Sequence, residues 1–188
     1  MDKTSATGVD GHTVTAVTAT LDWIAKEVLR RVPTQGYHPS PVRRVWRPKP
    51  GTAEKRPMGM PTVVDRALQN STAQVLEAID EPDFLNGSCG GRPGRSAHHA
   101  LATLHEIGAG KQVSSVLEAD RRHFFGRLDH TWAMRFVQRR GGDPRILTRM
   151  RRWLNAGVMM PDGAVEAVAC GTLQGGRIRV LLSHVSLH

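Results

Sequence analysis

The stretch Val116–Asp120, followed by Phe124 and Phe125, constrains this chain more than any other. It alternates like a β-strand, in which side chains two positions apart share a face, so Glu118 and Asp120 would project together. Two carboxylates on one face favour a hard cation such as Mg²⁺, which proteins hold together with substrate phosphates. The alternative is that Asp120 only forms a turn or caps a helix where the strand ends.

The excess of positive charge predicts a polyanionic partner. The 188 residues contain 26 Lys and Arg against 17 Asp and Glu, which gives a net charge of +9. Nucleic acid is the first candidate, because Lys and Arg release counterions from a phosphate backbone when they bind it. An anionic membrane surface is the rival, but the sequence has neither a long apolar run nor a signal-peptide pattern. We therefore expect a soluble, cytoplasmic protein that does not bind a membrane.

A basic β-hairpin is predicted near the N-terminus. Two short, proline-containing extended pieces flank a turn at Lys49-Pro50-Gly51. The predicted hairpin contains one acid, Glu54, and six cations: Arg43, Arg44, Arg47, Lys49, Lys55 and Arg56. Such a ribbon could clamp phosphate, or it could be an edge strand whose charges discourage pairing with other sheets.

Apolar residues at helical spacing predict several helices. These are Thr18 to Arg31, a helix from the capping box Thr62–Asp65 to about Ile79, Ala97 to Ile107 after Ser96, and helices that begin after Asp129 and at Asp143-Pro144. A second hairpin is expected to turn at Asp162-Gly163.

Two further groups of arginines allow either a binding or a structural interpretation. Arg92 and Arg95 lie in a glycine-rich segment just before a predicted helix N-terminus, which favours anions, although the segment could simply be a surface turn. The arginines from Arg139 to Arg152 form a second basic zone, and such zones are usually solvated helix faces.

Six segments, in order, resemble the reverse transcriptase domain encoded by bacterial group II introns, the intron reverse transcriptase/maturase family. They are Pro41–Val45, Lys55–Thr62, Arg92–Ala97, Leu117–Asp120 with Phe124-Phe125, Arg152–Leu154 with Ala156–Val158, and Gly171-Thr172 with Gln174–Gly176. Because they are collinear with the family pattern from Tyr37 to His188, the resemblance depends on no single motif.

This resemblance implies an α+β fold, a partial right-hand polymerase in which helices pack on a small antiparallel sheet. Residues 1–36 would be a leader and a helix, and residues 37–188 the fingers and incomplete palm. The family's Tyr-Ala-Asp-Asp motif does not occur within the 188 residues. We therefore expect a truncated or decayed chain that is inactive alone, with a two-metal site that lacks its other carboxylates.

The resemblance also implies roles for individual residues. Asp120 matches the first palm carboxylate, which binds Mg²⁺ and is catalytic. Phe125 matches the ring that excludes a ribose 2′-hydroxyl. The nucleotide-binding set is Lys55, Arg56, Arg66, Phe125, Gln174 and Gly175, and the expected nucleic-acid contacts are Arg43, Arg44, Arg47, Arg92 and Arg95.

The implied activity is RNA-directed DNA synthesis in support of intron splicing and retrohoming. Its partners would be an RNA template (the intron RNA), a DNA primer and deoxynucleoside triphosphates; the sequence indicates no oligomeric state. The segment Arg177–Val180 departs from the family by losing its usual Ser-Pro. The alternative is a non-catalytic RNA-binding module that uses Arg43, Arg44, Arg47 and the Arg139 to Arg152 zone, or a decayed remnant.

Overall fold

The computed structural model describes residues 7–18, 21–31, 37–110, 113–120, 124–140, 142–168, 170–172 and 177–187. The helices in these residues are α1 (Val14–Thr18), α2 (Leu21–Arg31), α3 (Val63–Asp80), α4 (Ala97–Gly110), α5 (His130–Arg140), α6 (Pro144–Leu154) and α7 (Arg177–Leu187). The strands are β1 (Val42–Pro48), β2 (Lys55–Met60), β3 (Val158–Met159) and β4 (Val165–Glu166). Helices packed beside a small sheet confirm the predicted α+β class.

The four strands form one mixed sheet in the order β2-β1-β3-β4. β1 and β2 form the predicted basic hairpin, and β3 and β4 form the hairpin at Asp162-Gly163, both antiparallel. β1 and β3, however, pair in parallel, with Val42 opposite Val158. The prediction of a purely antiparallel sheet is wrong at this pairing, because α3 to α6 lie between the two strands and such a long crossover permits a parallel pair.

The capping residues predicted from the sequence begin three of the helices. The Thr62 hydroxyl accepts a hydrogen bond from the Asp65 amide at 3.1 Å, and the Asp129 carboxylate accepts one from the Trp132 amide at 2.9 Å. The Asp143 carboxylate accepts one from the Arg145 amide at 2.8 Å. Each bond satisfies an amide that has no partner inside its own helix.

The hydrophobic core is built from one face each of α3, α5, α6 and α7, and Tyr37 joins it from the segment before β1. Met150, Leu181 and Leu182 are its most deeply buried large side chains. The helical spacing in α3 predicts that Leu68, Thr72, Leu76 and Ile79 point inward; the first three are buried, whereas Ile79 is exposed. The buried stripe of α3 advances four residues from Leu76 to Asp80 and so passes Ile79 by.

The strand predicted at Val116–Asp120 is not present. Residues 113–120 belong to no strand, and their side chains are exposed, with Leu117 at 92%. A strand needs a neighbour to satisfy its backbone groups, and no described strand lies beside this segment. α4 is likewise exposed along its whole length, and it continues to Gly110, three residues beyond the end predicted at Ile107.

None of the helices within the described ranges is both long and apolar enough to cross a lipid bilayer.

Candidate nucleotide and nucleic-acid site

Two predicted site segments, distant in sequence, meet beside α5. The Thr172 amide donates a hydrogen bond to the Phe125 carbonyl at 2.6 Å, and the Gly171 amide donates one to the Leu128 carbonyl at 2.7 Å. On the other side, His130 Nε2 donates to the Gly171 carbonyl at 2.7 Å. The backbone beside Phe125 is therefore fixed against the segment that leads to Gln174.

The close contact between these two backbone segments requires glycine at position 171. Gly171 has a φ of +82°, which side chains rarely adopt, and a Cβ there would lie 2.7 Å from the carbonyl oxygens of both Phe125 and Gly126. Both obstacles are backbone atoms, which cannot rotate away. Sequence comparison had matched Gly171 to the family without indicating this contact.

Arg179 of α7 covers the ring of Phe125. Its guanidinium carbon lies 4.0 Å from the ring centroid, a cation–π distance, and burial lowers the pKa of Arg179 below its ordinary value. Arg179 was noted in the sequence only as a departure from the family. Its position opposite Phe125 depends on how α7 packs, and sequence spacing carries no signal for that.

The basic hairpin places like charges directly opposite each other. Arg47 of β1 pairs with Arg56 of β2, and both are exposed. Lys55, next to Arg56, is also exposed, whereas Lys49 forms an ion pair with Glu54 at the turn. Cross-strand neighbours are only about 5 Å apart at Cβ, so two facing arginines repel each other unless an anion lies between them.

The remaining predicted cations of this region are less accessible. Arg43 and Arg44 are half-buried, and the Arg44 guanidinium lies 5.8 Å from the Trp46 ring centroid. Arg66, in the first turns of α3, is also half-buried. Burial lowers its pKa, and the negative charge of Asp10 opposes that shift.

A buried polar network fixes the chain where it enters β1. Tyr37 donates a hydrogen bond to Asp65 on α3 and accepts one from Trp153 Nε1 on α6 at 2.9 Å. Asp65 also accepts hydrogen bonds from the Thr62 hydroxyl at 2.7 Å and the Ser40 amide at 3.3 Å. The network joins the start of the hairpin to two core helices. The sequence had indicated only the Thr62 cap.

Arg92 and Arg95 occupy different environments, although the sequence predicted the same role for both. Arg92 is buried, and its guanidinium donates to Glu81 at 2.8 Å and to the Leu85 and Ser88 carbonyls at 2.7 and 2.9 Å. Its guanidinium carbon also lies 5.3 Å from the Phe84 ring centroid. Arg92 thus organises its own loop, while Arg95 is exposed.

The predicted metal ligand lies apart from these contacts. Asp120 is exposed at the end of the segment 113–120, and within the described part of the chain it forms no hydrogen bond or ion pair. No group of three or more His, Cys, Asp or Glu side chains in the described residues could hold a metal ion. Asp120 with Glu118 is too small a ligand set for a two-metal site, so no catalytic step is assigned to a metal here. Gln174 and Gly175 lie outside the described residues.

The class of protein follows from comparison with known families. Residues 47–188 match the family model described as "Reverse transcriptase (RNA-dependent DNA polymerase)". The chain belongs to this family, whose members use divalent metal ions, nucleic-acid templates and nucleotides.

Two individual relatives show which kind of reverse transcriptase this chain resembles. The chain is 36% identical over 185 residues to Protein YkfC of Escherichia coli K12, covering 96% of this chain and 48% of that protein. It is 31% identical over 164 residues to Group II intron-encoded protein LtrA of Lactococcus lactis, covering 87% of this chain and 27% of that protein. The resemblance to group II intron-encoded reverse transcriptases is thereby confirmed. The chain spans less than half the length of either relative.

Proposed function

We propose that this chain forms the fingers and part of the palm of a group II intron-type reverse transcriptase. Residues 37–188 would be the reverse transcriptase domain and residues 1–36 a leader with a helix; the family match at residues 47–188 falls wholly within the larger part. The partners would be intron RNA as template, a DNA primer and deoxynucleoside triphosphates. Because these partners are intracellular, a cytoplasmic location belongs to the proposal.

The observation that carries the proposal is the contact between the Phe125 and Gly171-Thr172 segments. Two motifs about 45 residues apart are hydrogen bonded through their backbones. A ring at Phe125 can then limit the space beside the ribose of a nucleotide whose templating pair lies against Gln174 and Gly175. Arg179 over the ring restricts its rotation and so supports this steric role.

The hairpin would supply the electrostatic part of the site. Lys55 and Arg56, with Arg66, would bind the triphosphate, and Arg43, Arg44, Arg47 and Arg95 would contact the nucleic-acid backbone. The Arg47 and Arg56 pair supports this assignment, because a phosphate between two facing guanidinium groups removes their repulsion. Arg92 is left out, since its donors are engaged within its own loop.

Asp120 would be one ligand of Mg²⁺ and would act only with carboxylates that the described residues do not supply. We therefore expect the 188-residue chain to be inactive alone. Primer extension on an RNA template with Mg²⁺ should detect no DNA product. Robust incorporation by the purified chain would contradict this expectation.

A chimaera tests the residue assignments. Residues 37–188 replace the matching segment of LtrA, and the hybrid is assayed for primer extension on RNA. Asp120→Asn should abolish synthesis, whereas Glu118→Gln, two residues away, should retain it. Phe125→Ala should raise incorporation of ribonucleotides relative to deoxynucleotides. An active hybrid whose synthesis is unchanged by Asp120→Asn would refute the assignment.

A non-catalytic RNA-binding module is the second candidate, favoured by the exposed cations of the hairpin and the sparse carboxylates around Asp120. It predicts salt-sensitive RNA binding by the 188-residue chain that survives Asp120→Ala, since phosphate contacts need no metal in the palm. Loss of RNA binding in Asp120→Ala would count against it.

A further inference from the structure

A polar groove lies between α5 and α6. One of its residues, Arg151, belongs to the basic zone from Arg139 to Arg152, and the proposed nucleotide and nucleic-acid site uses none of them. Met134 and Leu154, both buried, lie at its base. Its polar lining consists of His130, Thr131, Arg135, Gln138, Arg151 and Asn155. The lining offers two guanidinium groups together with hydroxyl, amide and imidazole groups, and it includes no carboxylate.

The acids nearest in sequence are already engaged. From Asp129 to Asn155 the chain has seven arginines and two aspartates. Asp129 caps α5, and Asp143 caps α6 and binds Arg145 at 2.9 Å. In the part of the chain that the structure describes, neither Arg135 nor Arg151 forms an ion pair. An unneutralised concave surface of this kind favours an anionic ligand.

An exposed aromatic ring adjoins the groove. Trp132 is 55% exposed, and the guanidinium carbon of Arg135 lies 4.9 Å from its ring centroid. The Phe136 ring centroid lies 6.0 Å from that of Trp132 and supports it from within α5. Large apolar rings exposed among cations are what unpaired bases stack on.

We propose that the α5–α6 groove binds single-stranded RNA. Arg135 and Arg151 contact successive phosphates, and Trp132 stacks on an unpaired base. Gln138 and Asn155 can donate to and accept from base edges, which paired bases do not offer across a narrow groove. The proposal is independent of nucleotide binding at the hairpin, and it holds whether or not the chain takes part in DNA synthesis.

The test measures binding of the full 188-residue chain to a short fluorescein-labelled single-stranded RNA by anisotropy at several salt concentrations. Arg135→Gln and Arg151→Gln should each reduce the slope of log affinity against log salt by about 0.7, the value for one lost phosphate contact on a single strand. Arg30→Gln is the matched control, because it removes the same charge from an exposed position of α2, outside the groove and outside the basic zone from Arg139 to Arg152. Its slope should stay closer to that of the wild type.

The proposed stacking of a base on Trp132 is tested separately, by the affinity for single-stranded RNA. Trp132→Ala should weaken single-strand binding at least about five-fold while leaving the salt slope unchanged, because stacking involves no counterion. Trp132→Phe should retain part of the affinity, and binding to a matched RNA duplex should not respond to either substitution. Far-UV circular dichroism and thermal unfolding establish that each variant is folded. Arg135→Lys, which keeps the charge, should recover the salt slope.

Three results would overturn the proposal. In the first, Arg135→Gln and Arg151→Gln bind single-stranded RNA as the control Arg30→Gln does. Trp132→Ala could weaken duplex and single strand equally. The groove arginines could matter for binding to phosphatidylserine vesicles and not to RNA, which would assign the surface to a membrane. Failure of hairpin substitutions to affect RNA binding would instead count against the proposed function and leave this groove untouched.

Discussion

Single residues with unusual backbone or charge environments fix the conformation of two loops in this protein. Gly171 permits two backbones to touch, and Arg92 ties its loop to Glu81. Gly171 meets backbone atoms of Phe125 and Gly126, which are distant in sequence, whereas Arg92 binds Glu81, Leu85 and Ser88 earlier in its own loop. Substitutions at these positions measure how much each contact contributes to the free energy of unfolding.

Gly171→Ala should destabilise the protein more than Gly163→Ala does. Both glycines have positive φ, +82° and +89°, but a Cβ at Gly163 meets no atom within 4 Å. Alanine at either position costs about 1–2 kcal/mol for the left-handed conformation, and only at Gly171 does a backbone clash add to it. Urea unfolding of both variants measures the difference. Equal losses would mean that the Phe125 and Gly171 segments do not meet as described.

The Glu81–Arg92 ion pair should make stability depend on acid pH. The hydrogen bond from Arg92 lowers the pKa of Glu81 below its ordinary 4.5. A carboxyl whose folded pKa is depressed contributes stability above its unfolded pKa and loses it as the pH falls through the folded value. Glu81→Gln should therefore be less stable than the wild type at neutral pH, and the difference should shrink with acidification. Thermal unfolding across that range measures it, and a constant difference would contradict the prediction.

In the β1–β2 hairpin the predicted strands and turn are confirmed, but two positive charges lie directly opposite each other. The proline-flanked strands and the turn at Gly51 follow the sequence prediction. The register, which only the structure provides, sets Arg47 against Arg56. Such an arrangement sacrifices some stability, and anion binding would restore it.

Arg47→Glu should stabilise the hairpin and weaken RNA binding at the same time. The substitution turns a repulsive cross-strand pair into an attractive one, worth up to about 1 kcal/mol at an exposed site. It also removes a proposed phosphate contact, so the salt dependence of RNA binding should decrease. Arg95→Glu, the same charge change on an exposed loop outside the sheet, should weaken binding without raising the melting temperature. A fall in melting temperature with Arg47→Glu would refute the cross-strand argument.

Burial divides the described residues into a packed part, whose apolar side chains share one core, and an unpacked part, whose apolar side chains are exposed. α3, α5, α6 and α7 share one core, whereas α4 and residues 113–120 expose their apolar side chains. The predicted catalytic aspartate is in the unpacked part. The hairpin and the Phe125 contact are anchored to the packed part.

Leu181→Ala and Leu104→Ala should test this division. Leu181 is 1% exposed on α7, and its truncation should cost about 2–5 kcal/mol through lost burial and a cavity. Leu104 is 56% exposed on α4, so the same substitution there should change the unfolding free energy by less than about 0.5 kcal/mol. Chemical denaturation compares the two. A large effect at Leu104 would indicate that α4 packs against the core.

The local features of this protein follow from its amino-acid sequence alone. Helix caps at Thr62, Asp129 and Asp143, the hairpin turns and the family motifs could all be predicted, because each depends on residues close together in the chain. The strand predicted at Val116–Asp120 is absent because that prediction, too, used only residues close together in the chain. Alternation there favours a strand, but a strand exists only where another pairs with it.

Contacts between residues distant in sequence, in contrast, depend on tertiary packing. The parallel β1–β3 pair, Arg179 over Phe125, Arg47 opposite Arg56, the burial of Arg92 and the groove between α5 and α6 all depend on how whole elements pack. A local pattern sets the conformation of a segment. The neighbour that segment receives is set by burial of apolar surface summed over the whole chain, to which each pattern contributes only a small part.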